Sequence, residues 1–130
     1  MRVLLDTHVF LWWNGQPQMI AGPLRDAIAD PANEIFISAA SVWEIGIKRA
    51  IGKLGFAQRI VQAILAHRFQ LLPITGEHAE HAAELPRHHA DPFDRLLVAQ
   101  AYLERMVLGS QDLKIRPYGV PTLGLAAQQR

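Results

Sequence analysis

The chain has 130 residues, half of them hydrophobic and 19% charged, a length that suits one domain and a composition too apolar for a disordered chain. Thirteen Lys and Arg against twelve Asp and Glu leave a formal charge of +1, which excludes a histone-like protein that holds nucleic acid by bulk charge. The absence of cysteine excludes disulfide scaffolds, thiol nucleophiles and Cys-ligated zinc or iron–sulfur centres. The same absence of cysteine points to a reducing cytoplasm; no apolar run is long enough to span a bilayer, so no membrane partner is expected, and Asp6 interrupts the first apolar stretch too early for a signal peptide.

In chain order, Arg2–Leu5 is a short apolar run that reads as a buried strand ending at Asp6. Residues 9–13 read as a short helix closed by Asn14, Gly15 and Pro17. Residues 22–30 have helical composition, with Pro23 suited to a first turn. The turn 30–33 leads into a second strand over 34–37. Ser38 or Ser41 caps a helix running to about Ile51, with Gly52 as its stop. Residues 56–67 read as an amphipathic helix with Ile60, Ile64 and Phe69 on similar faces. A third strand over 70–74 is short or at an edge because of Pro73. Thr75 caps a helix that ends before Pro86, and Asp91 with Pro92 opens a long helix to about Arg105. Residues 106–109 form a fourth strand and 120–123 a short fifth. This alternation predicts a three-layer α/β/α domain over residues 1–130, with a central parallel sheet of four to five strands. In such folds chemistry sits beyond the carboxyl ends of the strands.

Four carboxylates fall where that edge should be. Asp6 follows the first strand and Asp112 the fourth; Glu44 lies in the first turns of the helix after the second strand. Asp94 lies in the first turn of the helix that leads into the fourth strand. Each also has a plainer role. Asp6 can cap the helix that follows it, and Glu44 can pair with Lys48 at i+4. Asp94 can complement a helix dipole, and Asp112 can cap the next segment. Four unpaired carboxylates in one pocket would repel and raise each other's pKa values, and a divalent cation relieves this. Carboxylates without imidazole or thiolate select Mg²⁺ or Mn²⁺ rather than zinc. One or two such ions beside a phosphate activate water and neutralise the leaving oxygen, as in two-metal nucleases.

The run Leu4-Leu-Asp-Thr-His-Val-Phe-Leu-Trp12 resembles the opening strand of PIN-domain proteins, specifically VapC-like toxins. Ser41-Val-Trp-Glu-Ile45, with Lys48 and Gly52-Lys-Leu54, is similar to their second motif. Leu72-Pro-Ile-Thr75 and Asp91-Pro-Phe-Asp-Arg-Leu-Leu-Val-Ala-Gln-Ala101 are similar to the third, and Leu108-Gly-Ser-Gln-Asp112 to the fourth. The resemblance covers essentially the whole chain in order. It implies an Mg²⁺- or Mn²⁺-dependent endoribonuclease that hydrolyses RNA phosphodiester bonds, the toxin of a type II toxin–antitoxin pair. It also implies a homodimer and a cognate antitoxin, and an acidic pocket suits an inserted Arg or Lys. Carried over by position, the family's catalytic and metal-binding acids fall on Asp6, Glu44, Asp94 and Asp112. Its small hydroxyl residue before the last acid falls on Ser110, where the family more often has Thr; Gly109 is a mild departure. Asp91 is an adjacent carboxylate able to substitute or assist.

From Ile45 to Gly76 there is no acid, yet Lys48, Arg49, Lys53, Arg59 and Arg68 occur there. The stretch reads either as a groove for an RNA backbone or as a solvated helical face. Lys48 is the first candidate for substrate phosphate; Arg95 is another, unless it pairs with a neighbouring acid. The six histidines do not complete a zinc site: His78 and His81, or His88 and His89, lack a matching second pair, and a loop or surface role is expected. His8 either reaches the acids or packs at the start of its helix. Trp12, Trp13 and Trp43 can stack on bases, but core or dimer-interface packing is the expected role. An aspartyl phosphotransferase would need an acid where His8 stands, and a receiver-like domain would need paired acids near the first strand. A catalytically inactive PIN-like protein that acts only by binding another protein is opposed by the full set of acids. The near-zero charge then reads as an acidic pocket offset by a mildly basic surface.

Overall fold

Five strands pair, all in parallel, in the order β3-β2-β1-β4-β5: β1 (Arg2–Leu5), β2 (Glu34–Ser38), β3 (Gln70–Leu72), β4 (Val107–Gly109) and β5 (Thr122–Leu123). The computed structural model describes residues 1–125. The central strands are almost wholly apolar because helices cover both faces of the sheet, and neighbouring residues serve opposite layers. Val3, Leu5, Ile35 and Ile37 pack against α1 (Thr7–Gly15), α2 (Gly22–Ala29), α3 (Ala39–Ala50) and α4 (Ile60–Ala66), through Phe10, Leu24, Ile45 and Ile64. Leu4, Phe36 and Leu108 face the other way, against Leu97, Val98 and Ala101 of α6 (Pro92–Glu104), which carries α5 (Gly76–Glu84) at its side. No helix among the described residues is long and apolar enough to cross a membrane.

The strand order reverses at β1, which lies between β2 and β4. Chain connections therefore diverge from its carboxyl end, and the crevice left there is the topological switch point of the sheet. The backbone N–H of Asp6 donates to the Gly109 carbonyl at 2.9 Å, so β1 and β4 end together at that crevice.

Several elements differ from their sequence signals for local reasons. The helix expected over 56–67 is confined to Ile60–Ala66. Arg49 Nη1 donates to the carbonyls of Phe56 and Gln58 and holds that stretch as a loop. Arg68 takes a left-handed φ of 64°, so Phe69 leaves the helix, yet its ring still meets Phe10 at 6.4 Å. β3 stops at Leu72 because Pro73 has no N–H for the ladder, and it is an edge strand as expected. β5 spans two residues rather than four. Short 3₁₀ turns at Pro17–Met19 and Leu113–Tyr118 had no sequence signal of their own. Ser38, of the two serines considered, caps α3 by accepting from the Ala40 N–H, and Gly52 follows that helix with φ +76°.

Gly109 is explained by its neighbours. A Cβ there would lie 2.9 Å from Leu5 Cδ2, 3.1 Å from Leu24 Cδ1 and 3.3 Å from Val3 Cγ1. Gly109→Val should therefore lower stability by about 2–3 kcal/mol through overpacking. Urea denaturation checks this; an unchanged midpoint would show that these side chains have room to yield.

Candidate metal centre

Asp6 is the first residue past β1 and the N-cap of α1, where its Oδ1 accepts the Val9 N–H at 2.8 Å. Capping uses one oxygen and does not compete with a role in the site. The side chain is buried, and that burial raises its pKa, opposed by hydrogen bonds from Ser110 and from the Val9 N–H. Ser110 is fully buried beneath the site, and its Oγ also accepts the Asp112 N–H at 3.1 Å.

Glu44 projects from the second turn of α3. Thr7 Oγ1 donates to Glu44 Oε1 at 2.6 Å, and Ser41 Oγ lies 2.9 Å from the same hydroxyl. Lys48 Nζ donates to Glu44 Oε2 at 3.0 Å. The i,i+4 pair read from the sequence is thus present, but inside the pocket rather than on an open helical face. Asp112 follows β4, caps the 3₁₀ turn by accepting the Lys114 N–H at 3.0 Å, and keeps its second oxygen free of that bond.

Asp94 occupies the third position of α6, beneath the Asp91 cap, whose Oδ1 accepts from the N–H of Phe93 and of Asp94. Burial, then the charge of Asp91, pushes the Asp94 carboxyl from its ordinary 3.8 up to about 6; the His89 hydrogen bond opposes this, and Asp6 adds to it. His89 Nε2 lies 2.8 Å from Asp94 Oδ2 and 3.9 Å from Asp112 Oδ2.

These groups line one cavity of about 180 Å³, formed by Asp6, Thr7, His8, Glu44, Lys48, His89, Asp91, Asp94, Asp112 and Lys114. The four acids expected from the sequence come together there, with Asp91 and Lys48 beside them. Arg95 does not. Its guanidinium donates to the carbonyls of Ala82, Leu85 and Pro86 at 2.9–3.0 Å, fastening the end of α5 and the loop after it. Among the described residues it neither pairs with an acid nor lines the cavity.

His89 lies on the loop between α5 and α6, as a loop histidine should, but it also lines the cavity, a role the sequence does not signal by motif. The available signal was its position two residues before the Asp91 cap, which brings it onto the same helix start as Asp94. His89, Asp94 and Asp112 each offer a ligand atom within 4.8 Å of the others. Lys114 was also missed. His78 serves structure: it completes the capping box of α5 and its Nε2 lies 2.8 Å from Glu104. Trp12 and Trp13 pack against the core as expected, whereas Trp43 is 65% exposed and meets Phe93 edge-on at 5.6 Å.

The donor set is dominated by oxygen, and two of its carboxyls, Asp6 and Asp94, are held in the protonated direction by burial and mutual repulsion. A hard divalent cation fits such a set, since it relieves the repulsion and restores the charged forms.

The PIN domain family matches residues 3–119. The chain is 32% identical over 127 residues to Ribonuclease VapC22 of Mycobacterium tuberculosis, a match covering 92% of this chain and 93% of that protein. Among solved structures it is similar to VapBC-1 from nontypeable Haemophilus influenzae, with a TM-score of 0.67, 17% identity, and 95% of this chain and 97% of that one covered. It is also similar to a toxin–antitoxin complex from Klebsiella pneumoniae, with a TM-score of 0.62, 19% identity and 96% of each chain covered. These two likenesses are ones of fold.

Proposed function

The chain belongs to the PIN-domain family, and from that membership we propose that it is an Mg²⁺- or Mn²⁺-dependent endoribonuclease, the toxin of a type II toxin–antitoxin pair. The observation that carries this reading is the meeting of Asp6, Glu44, Asp94 and Asp112, from four distant stretches of chain, in one small cavity. The relative named a ribonuclease supports RNA as the substrate.

Asp6, Glu44, Asp94 and Asp112 would hold the ion or ions through carboxylate oxygens. When bound, such an ion supplies Lewis acidity toward water and phosphate and offsets the leaving oxygen's charge. Thr7 and Lys48 orient Glu44. Lys48 and Lys114, on the cavity wall, present positive charge to an RNA backbone. Ser110 is held by Asp6 and the Asp112 N–H beneath the site, with no histidine base on it, so water rather than a side chain is the attacking group. One carboxylate accepts the proton of that water.

The reading includes a homodimer, a cytoplasmic setting and a cognate antitoxin. An Arg or Lys of the antitoxin would enter the acidic cavity. An apolar groove of about 570 Å³ begins at Trp43, next to Glu44, and runs between α3, α4 and β3 past Val42, Val61 and Leu71. An apolar antitoxin segment would fit this groove.

The test is incubation of the purified protein with total RNA in Mg²⁺, in Mn²⁺ and in EDTA. Cleavage is expected with either metal and not in EDTA. Undiminished cleavage in EDTA would overturn the metal dependence. Intact RNA under every condition would favour an inactive PIN-like protein that works by binding alone.

A further inference from the structure

We infer that His89 is a positioning residue of the metal centre: its imidazole holds the Asp94 carboxylate so that Oδ1 faces the ion. This rests on the metal-binding reading above.

The ring's hydrogen bonds determine its role. His89 Nδ1 accepts the Asp91 N–H at 3.4 Å. An accepting Nδ1 carries no proton, so in the neutral ring the proton is on Nε2. Nε2 therefore donates to Asp94 Oδ2 at 2.8 Å. A histidine that binds metal through Nε2 presents Nδ1–H to an acceptor; here Nδ1 faces a backbone donor instead. The arrangement suits a donor to a ligand, not a ligand.

Asp94 needs such a donor. It lines the same cavity as Asp91 and Asp6, and its Oδ2 lies 2.8 Å from His89 Nε2. The His89 bond commits Oδ2, and Oδ1 has no hydrogen-bond partner among the described residues.

His89 is itself held by its backbone. Its carbonyl accepts from Tyr118 Oη at 3.4 Å and from Arg95 Nη1 at 3.5 Å. Those two contacts do not involve the imidazole, so a substitution at the ring leaves them in place. The ring's own bonds run to Asp91 and Asp94.

The experiment titrates Mn²⁺ into the full chain and follows free Mn²⁺ by EPR, for wild type, His89→Ala and His89→Gln. Gln keeps an N–H donor; Ala does not. Wild type is expected to bind, His89→Ala to bind about tenfold or more weakly, and His89→Gln to recover most of the affinity. Equal affinity in wild type and His89→Ala, or no recovery with His89→Gln, would overturn the inference and leave the metal-binding reading standing. Failure of wild type to bind Mn²⁺ would overturn both. Pulsed EPR of the Mn²⁺ complexes of wild type and His8→Ala is a second arm. Nitrogen coupling that persists in His8→Ala would come from His89 bound directly and would overturn the positioning role; absence of coupling in wild type, or its loss in His8→Ala, supports it.

Discussion

Asp94→Asn is expected to reduce RNA cleavage by about 10²-fold or more while making the metal-free protein more stable at neutral pH. Both effects come from one cause. The carboxyl is pushed from 3.8 up to about 6 by burial and by Asp91. A raised acid pKa means that the folded state binds the proton more tightly than the unfolded one. Its favourable contribution is present below about pH 4 and is lost as pH rises through about 6. A shift of about two units corresponds to roughly 3 kcal/mol, and partial solvent contact reduces it to about 1–2 kcal/mol. Asn preserves the shape and an oxygen that can accept from His89, but carries no charge to bury. In EDTA, then, wild type should lose more stability than the variant between pH 4 and 6, the variant keeping the dependence that comes from buried Asp6. Bound metal reverses the order, because it favours the ionised carboxylate of wild type. Urea denaturation at pH 5 and pH 7 in EDTA, beside a cleavage assay, checks both halves. A variant less stable than wild type at pH 7 in EDTA would mean that the Asp94 charge is already compensated in the metal-free fold, and wild-type cleavage would remove Asp94 from the site.

The legibility of this site in the sequence followed the range of the interactions involved. Asp6 was readable because an acid closing an apolar strand is a two-residue pattern, and its cap on Val9 is equally local. Asp91, Pro92 and Asp94 were readable because helix starts have fixed positional chemistry. The strand–helix alternation was readable because hydrophobic runs report burial. The short extent of α4 was not, because Arg49 from the preceding helix binds the carbonyls of Phe56 and Gln58 and keeps them out of a helix. The roles of His89 and Arg95 were not readable for the same reason: the loop between α5 and α6 has no periodicity, and its path is set by the contacts of Arg95 with Ala82, Leu85 and Pro86. Gly109 was noted as a departure, but its cause, the approach of Leu5 and Leu24, is visible only once β1, β4 and α2 are packed.

Arg95→Met should destabilise the protein by about 2–4 kcal/mol and lower its melting temperature by roughly 10 °C. The guanidinium is half-buried and supplies donors to five oxygens: Nη2 to Ala82 and Leu85, and Nη1 to Pro86, His89 and Tyr118 Oη. Ala82 and Leu85 lie at the end of α5, where helix carbonyls run short of backbone donors, Ala82 receiving a long 3.4 Å bond from the Leu85 N–H. Met keeps much of the aliphatic stem and removes the fork, so those carbonyls lose their donors. Arg95→Lys should recover little, since one ammonium cannot span acceptors that a planar fork reaches from two nitrogens. The loss should spread to the metal centre by a defined route: a loosened loop moves His89, and with it the donor to Asp94 Oδ2. Faster amide exchange over residues 86–91, together with weaker Mn²⁺ binding, is the expected signature. A phosphate-binding arginine would behave differently: its loss would raise KM for RNA and leave the melting temperature in place. An unchanged melting temperature with weakened RNA binding would therefore return Arg95 to the substrate side of the site.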